Sequence, residues 1–553
     1  MHHIRSYYLP ALLIVVLTIS FFRLGSLTLF DVDEAVFAEA TREMVETGDW
    51  LTPTYNGVNR YDKPILFYWM MALAYKTFGV NEWGARFPSA ATGVLVCLSL
   101  FLFMRRQKDE RHAYYAVTSL VLSLYFVIYS HAAVTDMTLT LFITLSLLSF
   151  YQSLSHDRES AQNRRYYLYG FYLFSALAFL TKGLIGIVFP FGIAGLYLLA
   201  TEGIGGTKKI MSAGGTLLFL LVAAPWYLAE LSVNGREFID QFFIKHHFKR
   251  FTDVISGHRG PWYYYILTLL IGLVPWITFL PGGAAEAWTR FRLARSRKEP
   301  SAAHSPELFA LLWFAVIVVF FSISTTKLPN YILPSIPAAV ILIASGMARQ
   351  SEKQVRYTKV LMALVSLLLG ISALAGPVLA EKYLVRLGAA GSISGFGAGL
   401  GADFLTDFRA WTRILAMMFF AGTALNLAGA IKKKSYHELG AVLMLSILLL
   451  LSLKALPVAN QYLQGTLHKY SRYALDHLGE DGTLIGYKLS RPSIVFYSRH
   501  TIAGADQPAE LEQLLKPGRQ ALVITNASEV SGLEKMGLSL IDEDAAYALL
   551  ERK

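Results

Sequence analysis

Apolar residues run through this chain in stretches near 20 residues long, separated by short polar connections. That is neither the one-faced pattern of a soluble helix nor the alternation of a half-buried strand. Ala11 to Phe22, Leu311 to Ile323 with their flanks, and Val360 to Leu379 are examples. A hydrocarbon slab about 30 Å thick needs about 20 helical residues to cross it. The pattern predicts thirteen spans, at roughly 7–24, 86–104, 113–130, 136–151, 166–181, 183–200, 210–230, 263–282, 308–324, 331–347, 360–380, 411–430 and 438–457. The first lacks a small-residue cleavage site before Gly25 and is expected to be a retained span rather than a removed signal.

The last hundred residues change character. Strand-like segments Thr483 to Tyr487, Ser493 to Tyr497 and Ala521 to Thr525 alternate with helical stretches Tyr470 to Leu478, Ala509 to Leu515 and Val530 to Met536. The expected fold class is an α-helical polytopic membrane protein over residues 1–457, followed by a small α/β domain over 458–553. That terminal domain carries no glycine-rich phosphate loop and no evident catalytic triad, so recognition or support is its expected role.

Composition agrees. Hydrophobic residues make up 54% and charged residues 16% of the chain, against about 45–50% and 25% in soluble domains. Soluble enzymes, disordered scaffolds and collagen-like chains are excluded. The net charge of +11 does not require nucleic acid, because the basic residues have another use. About 22 Lys and Arg fall in the alternating connections around 105–112, 152–165, 201–209, 284–307, 348–359 and 431–437 together with the N-terminus. The positive-inside rule makes that side cytoplasmic. The long connections, about 25–85, 231–262 and 381–410, then face outward, as does the C-terminal domain because thirteen is odd. Cys97 is the sole cysteine, so no intrachain disulfide and no cysteine-based metal site can form.

The outward segments carry the candidate chemistry. Asp31 and Glu34 have the D-x-x-E spacing of a capping box before a short helix that stops at Gly48. Asp33 has no capping duty there, and an acid held beside hydrocarbon is costly enough to suggest function. Asn59-Arg60-Tyr61-Asp62-Lys63-Pro64 leads into the apolar Ile65 to Ala74, a second interfacial helix with Lys63 at its start. Asp136 follows a short outer turn, where helix capping is the alternative use. Two carboxylates converging on one outer cavity suit acid, base or cation-positioning work. Lys182 and Lys327 lie on the side where the charge rule least expects cations. The loop 241–265 adds Lys245, His246, His247, Lys249, Arg250, His258 and Arg259. Such a pool suits phosphate, with Arg forming paired hydrogen bonds and Lys acting as a point charge. As metal ligands His246 and His258 are weak candidates, since no H-E-x-x-H spacing exists.

In order and in outward placement these motifs resemble the GT-C glycosyltransferases of the ArnT/PMT superfamily, most closely the branch that transfers aminoarabinose to lipid A. The residues that carry the resemblance are Asp33-Glu34, Ala38-Glu39, Arg42-Glu43-Met44, Gly48-Asp49-Trp50, Asp62-Lys63-Pro64, Tyr68-Trp69 and Arg86. Asp136, Leu180-Thr181-Lys182-Gly183, the loop Phe248 to Tyr265, and Lys327-Leu328-Pro329 with Tyr331 and Pro334 continue it. The resemblance implies a GT-C fold of about thirteen transmembrane helices with outer juxtamembrane helices and a periplasmic terminal domain. It implies an inverting transferase of the bacterial inner membrane, working on the periplasmic side with an undecaprenyl (polyprenyl) phosphate sugar donor and a lipid A or other lipid-linked glycan acceptor. Asp33 and Asp136 match its acidic positions. Glu34, Asp62, Lys63, Lys182, Arg250, Arg259, Lys327 and Tyr331 are the expected substrate contacts. No cofactor is required; a divalent metal is the alternative. Galacturonic acid or mannose as the sugar, and a protein acceptor, are alternatives within the superfamily. A transporter of a lipid-linked sugar is the alternative of another class, and it would need buried charge at the bilayer midplane.

Overall fold

The computed structural model describes residues 8–154, 160–242, 260–297, 304–348, 352–389, 402–432, 437–479, 481–516, 518–544 and 546–552. Every predicted span falls on helix. In order these are α1 (Tyr8–Phe21), then two outer helices α2 (Asp33–Thr47) and α3 (Leu66–Phe78) flanking a hairpin of β1 (Thr54–Tyr55) and β2 (Val58–Asn59). The bundle continues with α4 (Glu82–Gln107), α5 (Glu110–Val121), α6 (Leu124–Ser130), α7 (Asp136–Ser153), α8 (Ala161–Lys182), α9 (Ile185–Glu202) and α10 (Ala213–Phe238). It closes with α11 (Tyr264–Gly272), α12 (Leu280–Ser296), α13 (Pro306–Ile323), α14 (Ile336–Ala348), α15 (Glu352–Ala389), α16 (Ala402–Lys432), α17 (His437–Leu450) and α18 (Leu456–His477).

Among the described residues, eight helices are long and apolar enough to cross a membrane unaided, and up to ten if each bent pair counts as one span. The difference from thirteen has physical causes. Helix α1 is short, and α7 and α8 are not among those eight; α7 carries buried Thr138, Thr140, Thr144 and Ser146, satisfied or sheltered inside the bundle rather than facing lipid. The span predicted at 113–130 breaks by 63° between α5 and α6, and that at 263–282 by 111° after α11. The loop expected at 381–410 is largely helix, because α15 and α16 extend into it from both sides. The expected boundary at 457/458 lies at the start of α18, which continues α17 through a π-helical turn over Leu451–Ala455 and carries the chain from the bundle into the terminal domain.

That domain is a five-stranded sheet, β3 (Thr483–Tyr487), β4 (Ile502–Ala505), β5 (Ala521–Asn526), β6 (Ser539–Glu543) and β7 (Tyr547–Arg552), in the order β4-β3-β5-β7-β6. The first three are mutually parallel, and β7 and β6 are antiparallel. One face packs on Leu467, Tyr470 and Ala474 of α18. The other covers Leu511 and Leu533 of two short helices. Ser493 to Tyr497, read above as a strand, belongs to a helix, α19 (Pro492–Ser498). Pro492 presets its first turn, and the free amide of Ser493 finds its acceptor in the distant Asp31 carboxylate at 2.8 Å.

The same contact overturns the capping box. Asp31 serves α19, not α2, whose N-cap Val32 makes no side-chain cap bond. Its second oxygen accepts from Ser493 Oγ at 2.5 Å. Phe496 of α19 enters the apolar cluster of α2 and α3, and Tyr497 Oη donates to Glu82 and accepts from the Leu29 amide. Asn56 at the hairpin exchanges two 2.9 Å bonds with the backbone of Ile502. The terminal domain is thereby seated on the outer helices, beside the segment that leads to Asp33.

Candidate active site

Helix α4 begins at an Asn81 cap and carries Arg86 one turn in. Arg86 meets Glu34 through two 2.9 Å bonds and donates to the carbonyls of Leu24, Leu27 and Thr28 at 2.8–3.0 Å. Glu34 also accepts from the amides of Phe30 and Ala133. Its burial alone would raise its carboxyl, but Arg86 and those donors outweigh it and hold the group below the usual range. Glu34 therefore locks the start of α2 against the turn before α7 and does not line the cavity beyond. Its neighbour Asp33 points the other way and is exposed.

That cavity holds about 420 Å³ and lies among α2, the 60–63 segment, the tips of α7 and α8, the start of α9, the end of α13 and the turn Pro329–Ser335. Asp33, Asp62, Lys63, Asp136, Lys182 and Tyr331, six of the residues singled out from sequence, line it together. Leu184, Ile185, Val188, Phe189, Phe320 and Phe321 supply an apolar wall. One part of the space is charged and the rest suits hydrocarbon.

The charged part is built at helix ends. Asp136 begins α7 and Lys182 ends α8, so each sits where the helix dipole favours its sign. Their carboxylate and ammonium are 2.6 Å apart, both largely buried. Gly183 reverses the chain directly after Lys182 at φ +72° and ψ −143°, a backbone conformation that favours glycine. Gly186 then lies so close to α8 that a Cβ would come within 2.3 Å of the Ala178 carbonyl carbon. The lysine is thus held at the tip of a tight helical hairpin, with Nζ 5.8 Å from the centroid of the Tyr331 ring. Tyr331 itself leans on Phe321, ring centroids 5.0 Å apart.

On the facing side Lys63 Nζ donates to the Asp62 carbonyl at 3.0 Å. Arg60, not selected from sequence, also lines the cavity. It pairs with Asp62 at 2.8 Å and donates to Tyr68 Oη at 3.2 Å. Burial works against its charge, but Tyr68, Asp62 and Asp33 outweigh burial and push its affinity for the proton up. The signal for Arg60 was present: residues two apart in an extended segment share a side, which puts Arg60 with Asp62.

Lys327 sits apart from the cavity lining. Its Nζ donates to the carbonyls of Ser322 and Ser324, both at 2.8 Å, and of Phe321 at 3.4 Å, closing the C-terminus of α13. Burial holds its ammonium below the ordinary lysine range. It shapes the wall through Phe321 and Ser324 rather than facing the space. Lys245, His246, His247, Lys249, Arg250, His258 and Arg259 lie outside the described residues. Among the described residues no three His, Cys, Asp or Glu side chains converge as a metal site would require.

The arrangement can bind an anion with Lys63, Lys182 and Arg60, hold a cationic or hydroxyl-bearing group on Asp33, Asp62 or Asp136, and lodge an apolar chain beside both. Comparison with known proteins shows what the chain is similar to. Residues 62–228 match the family described as dolichyl-phosphate-mannose-protein mannosyltransferase. An uncharacterised protein of Aquifex aeolicus is 34% identical over 66% of this chain and 68% of its own length. The undecaprenyl phosphate-alpha-4-amino-4-deoxy-L-arabinose arabinosyl transferase 2 of Pseudomonas fluorescens is 30% identical over 67% of this chain, and the corresponding transferase of Aeromonas hydrophila 31% over 60%. The chain spans 61% and 58% of the lengths of those two transferases. In fold, the crystal structure of ArnT from Cupriavidus metallidurans bound to undecaprenyl phosphate superposes with a TM-score of 0.81, covering 99% of this chain and 98% of that one at 24% identity. The oligosaccharyltransferase of Archaeoglobus fulgidus superposes with a TM-score of 0.52, covering 95% and 70% at 11% identity.

Proposed function

We propose, for a chain that belongs to the ArnT-like family of GT-C membrane glycosyltransferases, that it transfers a sugar from undecaprenyl phosphate to a lipid-linked acceptor at the periplasmic face of a bacterial inner membrane. The proposed sugar is 4-amino-4-deoxy-L-arabinose, in keeping with the names of the transferases the chain resembles, and the proposed acceptor is lipid A. The observation that carries the reading is the cavity that joins Lys63, Lys182 and Arg60 to Asp33, Asp62 and Asp136 beside an apolar wall.

The chemistry follows from those groups. An acceptor oxygen attacks the anomeric carbon from the face opposite the phosphate, the new carbon–oxygen bond forms, and the bond to the bridging phosphate oxygen breaks. The electron pair leaves with undecaprenyl phosphate, so the configuration inverts. Lys63 and Lys182 hold that phosphate as its charge grows, and Tyr331 donates a hydrogen bond to it. A phosphate acceptor is already ionised and gives up no proton, so Asp33 then orients it or holds the sugar ammonium. A hydroxyl acceptor gives its proton to Asp33 as general base. Seating donor and acceptor in one cavity makes the attack effectively intramolecular, which is worth about 7–11 kcal/mol of the barrier. No cofactor enters this scheme.

Purified protein in detergent, given undecaprenyl-phosphate aminoarabinose and lipid A, is expected to raise the mass of lipid A by one sugar. Asp33→Asn should abolish the product while undecaprenyl phosphate still binds. Absence of product with the unaltered protein, or near-normal turnover by the variant, overturns the reading.

A further inference from the structure

Helix α7 carries Asp136 at one end and borders a second cavity, of about 710 Å³, at the other. The two share no lining residue. Leu95, Leu98 and Leu102 of α4 form one wall, three or four residues apart and therefore on one helix face. Leu145 and Leu148 of α7 form the wall opposite. The apolar length ends at a polar mouth made by Arg105, Arg106, Gln152 and Tyr167. From residue 95 to 106 the groove runs about 16 Å at the helical rise, about half a hydrocarbon slab.

We propose that this groove is a binding site for an anionic glycerophospholipid of the leaflet opposite the active site, with one acyl chain between α4 and α7 and the headgroup phosphate on Arg105 and Arg106. Charge complementarity selects the occupant. Both guanidinium-bearing residues are exposed, Arg106 is aimed by a 3.1 Å bond to Tyr167 Oη, and among the described residues no carboxylate lines the space. Leu95, Leu98 and Leu102 are about half exposed and line the concave space. Arg105 and Arg106 also belong to the Lys- and Arg-rich connection 105–112, which assigns the mouth to the cytoplasmic leaflet, where anionic lipids gather. The donor and acceptor proposed above enter from the other face, so this lipid is a third ligand.

Native mass spectrometry of the full chain, equilibrated with phosphatidylglycerol or phosphatidylcholine of matched acyl chains, tests the site. Phosphatidylglycerol is expected to be retained about thirtyfold better, two arginines acting near a membrane surface. The double variant Arg105→Gln with Arg106→Gln should erase the preference, and Leu98→Trp, which fills the groove, should lower retention of both lipids. Equal retention by the unaltered protein overturns the site, as does a preference that survives the double variant. Undiminished retention by Leu98→Trp overturns the acyl-chain part. Free glycerol phosphate should not compete; displacement by it means a headgroup patch with no groove. An unchanged thermal melt in detergent reports that each variant is folded. No arm depends on turnover or on donor binding, which keeps this result separate from failure of the transferase reading.

Discussion

The Lys182 ammonium stands 2.6 Å from the Asp136 carboxylate, joining the last residue of α8 to the first of α7 inside the candidate active-site cavity. The pair holds two helix ends together and at the same time places a cation and an anion where a phosphosugar would sit.

Removing one partner leaves the other charged and buried, which costs about 3–5 kcal/mol, whereas removing both removes the penalty. Lys182→Met is therefore expected to lower the melting temperature sharply. Lys182→Met combined with Asp136→Asn should recover most of the stability and none of the sugar transfer. Thermal melts in detergent beside a transfer assay check both halves. Recovered transfer in the double variant would assign the pair a purely structural role.

Glu34 and Arg86 make a structural pair with a pH signature. Because the folded state holds the Glu34 carboxyl below its ordinary value of 4.5, the folded protein binds that proton less readily than the unfolded chain. The pair's stabilisation is complete above the ordinary value and is lost as pH falls through the lowered one. Glu34→Gln should melt well below the unaltered protein near neutral pH, with the gap narrowing in acid. A gap that stays constant from neutral to acid would refute the linkage.

Asp31 caps a helix that lies more than four hundred residues later in the chain. Loss of a capping side chain costs about 1 kcal/mol. Asp31→Ala is expected to raise hydrogen exchange across Pro492–Ser498 and at the segment before Asp33, leaving α18 and the sheet protected. Uniform protection across both segments would show that the cap does not couple them.

Lys327 and Lys63 separate wall-building from substrate contact. Lys327→Met removes three backbone hydrogen bonds at the end of α13, each worth about 0.5–1.5 kcal/mol or more for a charged donor. It should lower the melting temperature by several degrees. Lys63→Met should leave stability nearly unchanged and weaken undecaprenyl phosphate binding at least tenfold, measured by titration with the labelled lipid. The opposite pattern would exchange the two roles.

The positions of the helices were set by local composition, because a membrane segment declares itself within about twenty consecutive residues. Each predicted span lies on helix, and the sheet strands at 483–487 and 521–525 lie where alternation and turn residues placed them. Grouping was legible too: Asp33, Asp62, Lys63, Asp136, Lys182 and Tyr331 were expected on one side of the membrane, and the fold brings all six to one cavity. Partnership was not legible. Asp31 and Glu34 have the spacing of a capping box, yet they bond to Ser493 and Arg86, residues that no local pattern could nominate. Arg60 and Lys327 are both cations in segments expected to face outward, and only packing turned one into the cavity and the other onto the carbonyls of its own helix end. Pattern along the chain reports what a residue must avoid, water or hydrocarbon. Which atoms satisfy it depends on neighbours that folding alone brings within hydrogen-bond range.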